Sequence, residues 1–463
     1  MKTQLGQHAI VIGASMAGLL TARALSEHFA QVTVLERDPV HATPEARKGQ
    51  PQARHLHGLL ARGFQIMSHY YPTLPDDLVE GGALLGDMGA MMRWHIDGGY
   101  RVQFDSGLTG VLMSRPFLEY CIRRRTLETP NITLIDECDV EGPATNDDRT
   151  RVTGVHVVYR GEGHGEDQRA ATLAADLVVD AAGRGSAAPK WLEQMGYARP
   201  EEETIKIDAG YATRIYRRKP GDLIGANLIM IAPEAPHLSR GGFFFAMEDD
   251  RWIVALGGWG GDYAPTDEAG FLEYARSLAA PDIAAILPKL EPLSDIYAHR
   301  FPANLRRRYE RLERFPERYL VLGDALCSFN PVYGQGMTSA ALQAWTLDQL
   351  LDGRRTLDGL AQPFFKQTAK IVDIPWQTTV GEDFRFATTQ GKKAPETDFI
   401  NGYVNRVNRA THHDTVVYRA FLDVMNLIKP PTSLMHPRIM MRVLRRRPVS
   451  AASQTAPERS LAA

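Results

Sequence analysis

His8-Ala9-Ile10-Val11-Ile12-Gly13-Ala14-Ser15-Met16-Ala17-Gly18-Leu19-Leu20 is the stretch on which the fold turns. His8–Ile12 is a short apolar run of the kind that forms a buried strand. Gly13 permits a tight strand-to-helix turn, and Gly18 lets the following helix lie close to the sheet. Met16, Leu19, Leu20 and Ala24 then recur at helical spacing. Gln31-Val32-Thr33-Val34-Leu35 is a second, β-branched strand, and it ends in Glu36. Strand, glycine turn, helix and strand within 40 residues are the opening βαβ unit of a dinucleotide-binding fold.

The chemistry of the turn follows from its parts. A helix N-terminus offers free amides and a positive dipole end to a pyrophosphate. Ser15 replaces the middle glycine of the GxGxxG pattern, but it is small enough for the backbone to approach phosphate. Glu36 lies 23 residues beyond Gly13. An acid there accepts both ribose hydroxyls and repels a 2′-phosphate, so the ligand is FAD or NAD rather than NADP. Arg37 follows directly and belongs to the same candidate set.

Composition bounds the rest. The chain has 463 residues, 44% hydrophobic and 23% charged, with 53 basic and 55 acidic side chains. A net charge of -2 argues against nucleic-acid binding. Cys121, Cys138 and Cys327 are sparse and far apart, so neither a disulfide framework nor a zinc site is expected. No stretch reaches the roughly 20 apolar residues of a membrane span, and no signal peptide is evident. The expectation is a cytoplasmic protein.

Further along, residues 43–58 form a Pro-, Gly-, Arg- and His-rich loop leading into a helix near Gly58–Tyr70. A helix at Arg115–Glu128 is expected behind the Ser114 N-cap with Pro116 in its first turn. Strands are expected at Ile132–Ile135, Val152–Tyr159 and Leu177–Val179, and a polar hairpin tip at Gly161–Ala171. Gly241–Met247 and Trp252–Leu256 read as an antiparallel hairpin. A helix from Gly336 to Leu350 and a helical remainder to Arg447 follow.

A second motif selects the cofactor. Leu320-Val321-Leu322-Gly323-Asp324-Ala325 is a buried strand ending in Gly-Asp. Asn330-Pro331-Val332-Tyr333-Gly334-Gln335-Gly336-Met337 then opens an apolar helix. The carboxylate can bind a polyol, and the helix start can present amides to an oxygen that becomes negative. Reduced flavin has both features.

These motifs resemble the FAD-dependent (class A) flavoprotein monooxygenases with the para-hydroxybenzoate hydroxylase fold, over about residues 5–350. The resemblance implies that Asp324 holds the ribityl hydroxyls and that Pro331, Gly334, Gln335, Gly336 and Met337 pack by the isoalloxazine. It implies that Arg115, in a Ser-Arg-x-x-Leu-Glu pattern, contacts the phosphate and ribityl region. Val140 would hold the adenine through its backbone. Arg47-Lys48-Gly49-x-Pro51-Gln52-x-Arg54-His55-x-His57 and Asp180-x-x-Gly183-Arg184-Gly185-Ser186 resemble the squalene-epoxidase-like flavin epoxidases of polyether biosynthesis. There Arg47 is a candidate at the flavin edge or substrate loop. Asp180 reads as structural.

The fold class this implies is α/β. A Rossmann-like FAD-binding domain is expected from residues 1–75, 105–190 and 300–352. An inserted mixed or antiparallel-sheet substrate domain is expected from 76–104 and 191–299, with a helical region at 353–447 and a disordered tail at 448–463. Phe243, Phe245, Trp252 and Trp259 are sheet-core residues that are also candidates for the substrate cavity. No metal site is expected: His55/His57 and His412/His413 read as loop or surface residues. The basic triplets Arg123–Arg125, Arg306–Arg308 and Arg445–Arg447 read as solvated faces.

The implied activity is a monooxygenase using NAD(P)H as transient reductant and O2, through a flavin C4a-hydroperoxide. It would epoxidise or hydroxylate a small hydrophobic polyketide- or terpenoid-like substrate. No acid–base pair is evident, which is compatible with epoxidation. The alternatives are an aromatic hydroxylase and a flavin-bound non-redox cyclase of a polyene. The flavin-halogenase pattern Trp-x-Trp-x-Ile-Pro and a second GxGxxG unit are absent.

Overall fold

The computed structural model describes residues 4–445 except 48, 50, 161–168 and 223–224. The expected tail at 448–463, residues 161–168 of the hairpin tip, Lys48, Gln50, Arg446 and Arg447 lie outside the described residues.

Five parallel strands form the first sheet, in the order Tyr319–Val321, Leu177–Asp180, Gly6–Ile12, Phe29–Leu35 and Ile132–Ile135. Ala9 to Ile12 are buried without alternation, as expected for a strand covered on both faces. The helix Met16–Leu25 packs Leu19, Leu20, Ala24 and Leu25 inward. Two glycines make this approach possible. Gly13 has φ +101, and a Cβ there would stand 2.7 Å from the Ala181 carbonyl oxygen. A Cβ on Gly18 would stand 1.8 Å from the Gly13 oxygen.

A three-stranded antiparallel sheet joins Cys138–Thr145, Val152–Tyr159 and Ala170–Ala174. An eight-stranded mixed sheet runs Cys327–Ser328, Tyr297–Arg307, Glu202–Arg217, Arg251–Gly258, Arg240–Met247, Leu228–Ile231, Met92–Ile96, Gly99–Tyr100. The expected hairpin is present within it, and Asp249 and Asp250 take positive φ in its turn, a conformation Asp tolerates. The strand Tyr297–Arg307 crosses residue 300 and carries this sheet down to the Cys327–Ser328 bridge.

The faces of the large sheet are covered differently. Phe244, Trp252, Val254 and Leu256 pack under the helices Glu268–Arg276 and Asp282–Ile286. Trp94, Phe245 and Ile253 face Val407, Val417, Phe421 and Leu422, which belong to the helices Thr397–Ala410 and Thr415–Met425. The C-terminal helices are thus part of the fold's core.

Two expectations are corrected. The helix before Tyr70 begins at Ala61 rather than Gly58. Arg306 and Arg307 are 1% and 7% exposed, so this triplet is no solvated face. Arg307 donates to the carbonyls of Ala325 (2.9 Å) and Arg184 (3.2 Å), tying two cleft loops together. Arg123 is likewise buried and donates to the His41 carbonyl.

The glycine contacts are testable. Gly18→Ala should lower stability by about 2 kcal/mol, seen as a lower urea midpoint at unchanged slope. Gly185→Ala, where a Cβ meets nothing within 4 Å, should stay within about 0.5 kcal/mol. Equal effects would refute the close-approach account.

Candidate functional site

Four neighbouring strands of the parallel sheet end at one edge, and each end carries a candidate residue. Asp324 follows Tyr319–Val321, Asp180 closes Leu177–Asp180, Gly13 follows Gly6–Ile12, and Glu36 follows Phe29–Leu35. In a doubly wound sheet, ligands bind beyond these carboxyl ends. The sequence-separated motifs are therefore brought together along one edge of the sheet.

At the glycine turn, four charged side chains interlock. Glu36 Oε2 accepts from the Ala14 amide (2.9 Å) and stands 2.8 Å from Arg47 Nη1. Arg47 Nη2 donates to Glu119 Oε1 (2.7 Å) and to the Ala14 carbonyl (3.1 Å). Arg115 Nη2 donates to Glu119 Oε2 (2.9 Å) and Ser15 Oγ (2.8 Å). The Ser15 hydroxyl in turn donates to Glu119 rather than capping its helix. Glu119 closes the Ser-Arg-x-x-Leu-Glu pattern, but the sequence reading gave it no role. It lies one helical turn after Arg115, and its two guanidinium partners hold its carboxyl below the ordinary range despite burial.

Asp324 sits at the other end. It is exposed, yet the surrounding protein pushes its pKa up, with Arg115 and Arg184 acting against that shift. Both facts describe a carboxylate facing a recess. Gln343 Oε1 accepts from the Gly323 amide (2.9 Å), fixing this turn to the helix Gly336–Leu351. Added Cβ atoms on Gly183, Gly185 and Gly336 would meet no protein atom within 4 Å. Asp180 is structural: it accepts from the Ala182 amide and the Ser186 hydroxyl.

Other candidates fall around this frame. Gly334 takes φ +66 in the turn before Gln335 and Gly336. Met337 turns its side chain into the core with Met16 and Leu19, leaving its main chain at the helix start. Val140 pairs with Val157 beside a bulge. Arg37 keeps a 65% exposed side chain and stays outside the charge network.

A cavity of about 990 Å³ opens beside the cleft. Its walls include Leu56, His57, Gly58, Tyr211, Phe243, Phe245 and Trp259, and also Pro331–Gly334. Trp252 is corrected here: it packs against Phe244 on the opposite face of the sheet. The C-terminal helices supply Trp376, Val404, Phe421 and Asn426.

Two polar groups at this seam escaped sequence reading. His57 Nδ1 lies 2.9 Å from the His55 carbonyl, which can only accept. The neutral ring therefore carries its proton on Nδ1 and a lone pair on Nε2. Burial, reinforced by Arg115, pushes its pKa down to about 4, so it is neutral at pH 7. His55 bonds Thr213 and packs edge-on to Tyr211. Among the described residues, no group of His, Cys, Asp or Glu is arranged to hold a metal.

The second group is Asp383, at the end of the helix Ala361–Asp383. It accepts from Trp259 Nε1 (2.9 Å), Asn304 Nδ2 (2.8 Å), Asn330 Nδ2 (3.1 Å) and the Tyr333 hydroxyl (3.3 Å). It joins the large sheet, the Asn330–Gly334 turn and the C-terminal helices. Nothing local in the sequence signals it, because its partners come from three distant segments.

Asp383 also makes a pH prediction. Burial raises its carboxyl to about 6, its four donors opposing the shift. Such a group binds its proton more tightly folded than unfolded, where the pKa is about 3.9. It stabilises in acid, and that contribution is lost as pH rises through 6. Asp383→Asn cannot titrate, so its Tm relative to the parent should improve between about pH 4 and 6. A constant offset across that range would refute this.

These residues fit FAD. The glycine turn and Arg115 suit the pyrophosphate, Glu36 the ribose, and Asp324 the ribityl chain. The open space before Gly336 suits the ring.

No family model matches the chain. It is 37% identical to protein Rv3254 of Mycobacterium tuberculosis over 398 residues, 84% of this chain and 82% of that protein. It is 26% identical to kynurenine 3-monooxygenase of Salinispora tropica over 379 residues, 74% and 72% of the two chains. Among solved structures it resembles Pseudomonas aeruginosa PqsL in complex with 2-aminobenzoylacetate. That match has a TM-score of 0.61 and 15% identity, covering 82% of this chain and 98% of PqsL. It also resembles the flavin-dependent brominase Bmp2, with a TM-score of 0.63 and 12% identity, covering 94% and 98%. At such identities the structures establish the fold.

Proposed function

We propose that this chain is an FAD-dependent (class A) flavoprotein monooxygenase that transfers one oxygen atom of O2 to a small hydrophobic polyketide- or terpenoid-like molecule, with NAD(P)H as transient reductant. The observation that carries the reading is continuity. His57, which feels the charge of Arg115, Gly58 and the Pro331–Gly334 turn that leads into the Gly336 helix all line the large, mainly apolar cavity.

FAD, when bound, supplies the redox and oxygen-transfer chemistry. The chain supplies the rest. Gly13, Ser15, Arg115 and Glu36 bind the adenosine and phosphates, and Asp324 orients the polyol. Phe243, Phe245, Trp259 and the C-terminal helices exclude water from the reacting space. His57 Nε2 can accept a proton or hydrogen bond from a substrate hydroxyl. Epoxidation of an alkene needs no such base, whereas hydroxylation of a phenol would draw on it.

Three measurements test this. Purified protein should carry a flavin spectrum, and aerobic NAD(P)H oxidation with substrate should yield a product heavier by one oxygen atom. Product formed without oxygen or reductant would instead select the non-redox cyclase. Gly336→Val should keep its Tm within about 2 °C but weaken FAD binding at least about tenfold. Asp324→Ala should do the same to FAD without loss of apo stability, since it removes a desolvated carboxylate. Unchanged FAD affinity in both variants would remove the cleft from the argument.

A further inference from the structure

Arg101 is 2% exposed and borders the cavity. Its guanidinium lies between Trp94, 4.0 Å from the ring centroid, and Phe421, at 3.9 Å. Tyr418 stands at 5.2 Å. Only neutral acceptors hold its edge: Nη1 donates to Thr411 Oγ1 (2.9 Å) and Nη2 to Asn408 Oδ1 (2.9 Å). Nε is buried without a partner.

Among the described residues, no carboxylate comes within ion-pair distance of this group. Of the other buried arginines, Arg47, Arg115, Arg306 and Arg307 each have one, while Arg123, 7% exposed, instead donates to the His41 carbonyl, away from the cavity lining. Two acids are near Arg101. Glu382 is already engaged by Arg385 Nε (2.8 Å) and Nη2 (3.0 Å). Asp97 borders the cavity but lies beyond ion-pair distance. A buried cation lacking an anion is costly unless something supplies one. Burial lowers its pKa only to about 10, so it stays charged at neutral pH.

Trp94, Asn408 and Phe421 line the same cavity. We propose that Arg101 is the anchor for a carboxylate on the substrate, whose apolar body extends from there toward the Pro331–Gly334 turn. A carboxylate matches the planar guanidinium fork, and the aromatic faces that hold the arginine exclude competing water. The substrate class is then an amphiphilic organic acid. This rests on the cavity being the substrate site of a flavin monooxygenase.

The test uses FAD-loaded enzyme and three probes: dodecanoate, methyl dodecanoate and dodecylammonium, below micelle formation, with binding followed by tryptophan fluorescence. Dodecanoate should bind at least about tenfold more tightly than either of the others. Arg101→Met should reduce that preference to less than about threefold, and Arg101→Lys should retain part of it. If Arg101→Met does not fold, the probe series on the parent enzyme and Arg101→Lys still decides. Equal binding of acid and ester by the parent, or an unchanged preference in Arg101→Met, overturns the proposal. Flavin content and NAD(P)H oxidation are recorded on the same samples. A flavin-loaded, active enzyme without acid preference refutes the anchor alone, whereas protein that takes up no FAD refutes the enzyme reading.

Discussion

Two carboxylates and two guanidiniums are buried around a single glycine turn, and the geometry of that turn depends on their mutual neutralisation. Glu36 and Glu119 would be costly to bury alone, as would Arg47 and Arg115. Shared oxygens and main-chain partners satisfy them together. The result is a rigid frame that joins the first two parallel strands to the Arg115–Leu127 helix. Net charge at the frame is balanced, so the local preference for anions comes from the helix N-terminus and its amides.

A second buried acid performs the equivalent task beside the cavity. Asp383 gathers donors from Trp259, from Asn304 of the large sheet, and from Asn330 and Tyr333 of the turn before the Gly336 helix. Through it the C-terminal helices are tied to the loop that borders both cleft and cavity. Those helices also close the cavity with Phe421, Leu422 and Asn426. This wall of the cavity is therefore built from the C-terminal helices, and Asp383 couples it to the Asn330–Gly334 turn.

The fold itself does not choose the reaction. The same architecture is shared with PqsL and with a flavin-dependent brominase. In this chain the cavity lining carries a neutral His57 and, among the described residues, an Arg101 guanidinium held only by neutral acceptors.

Local sequence was sufficient for the glycine turn and the strand ends beside it. Gly13, Gly18 and Glu36 sit within 24 residues of one another, and their roles follow from backbone sterics and strand-end geometry. The Arg115 helix, the hairpin around Asp249 and the Gly336 helix were equally legible, because caps, turns and periodicity are short-range signals. The pairing of distant charges and the burial of single groups were not. Glu119, His57, Asp383 and Arg101 acquire their character from partners 72, 2, up to 124 and up to 310 residues away. Even His57, whose partner is adjacent, owes its neutrality to burial rather than to its neighbour. Trp252 shows the limit most plainly: its strand was evident, but the side of the sheet it faces depended on register with Ala246. A chain declares its own turns and periods, whereas burial and the pairing of distant charges exist only once the strands and helices have met.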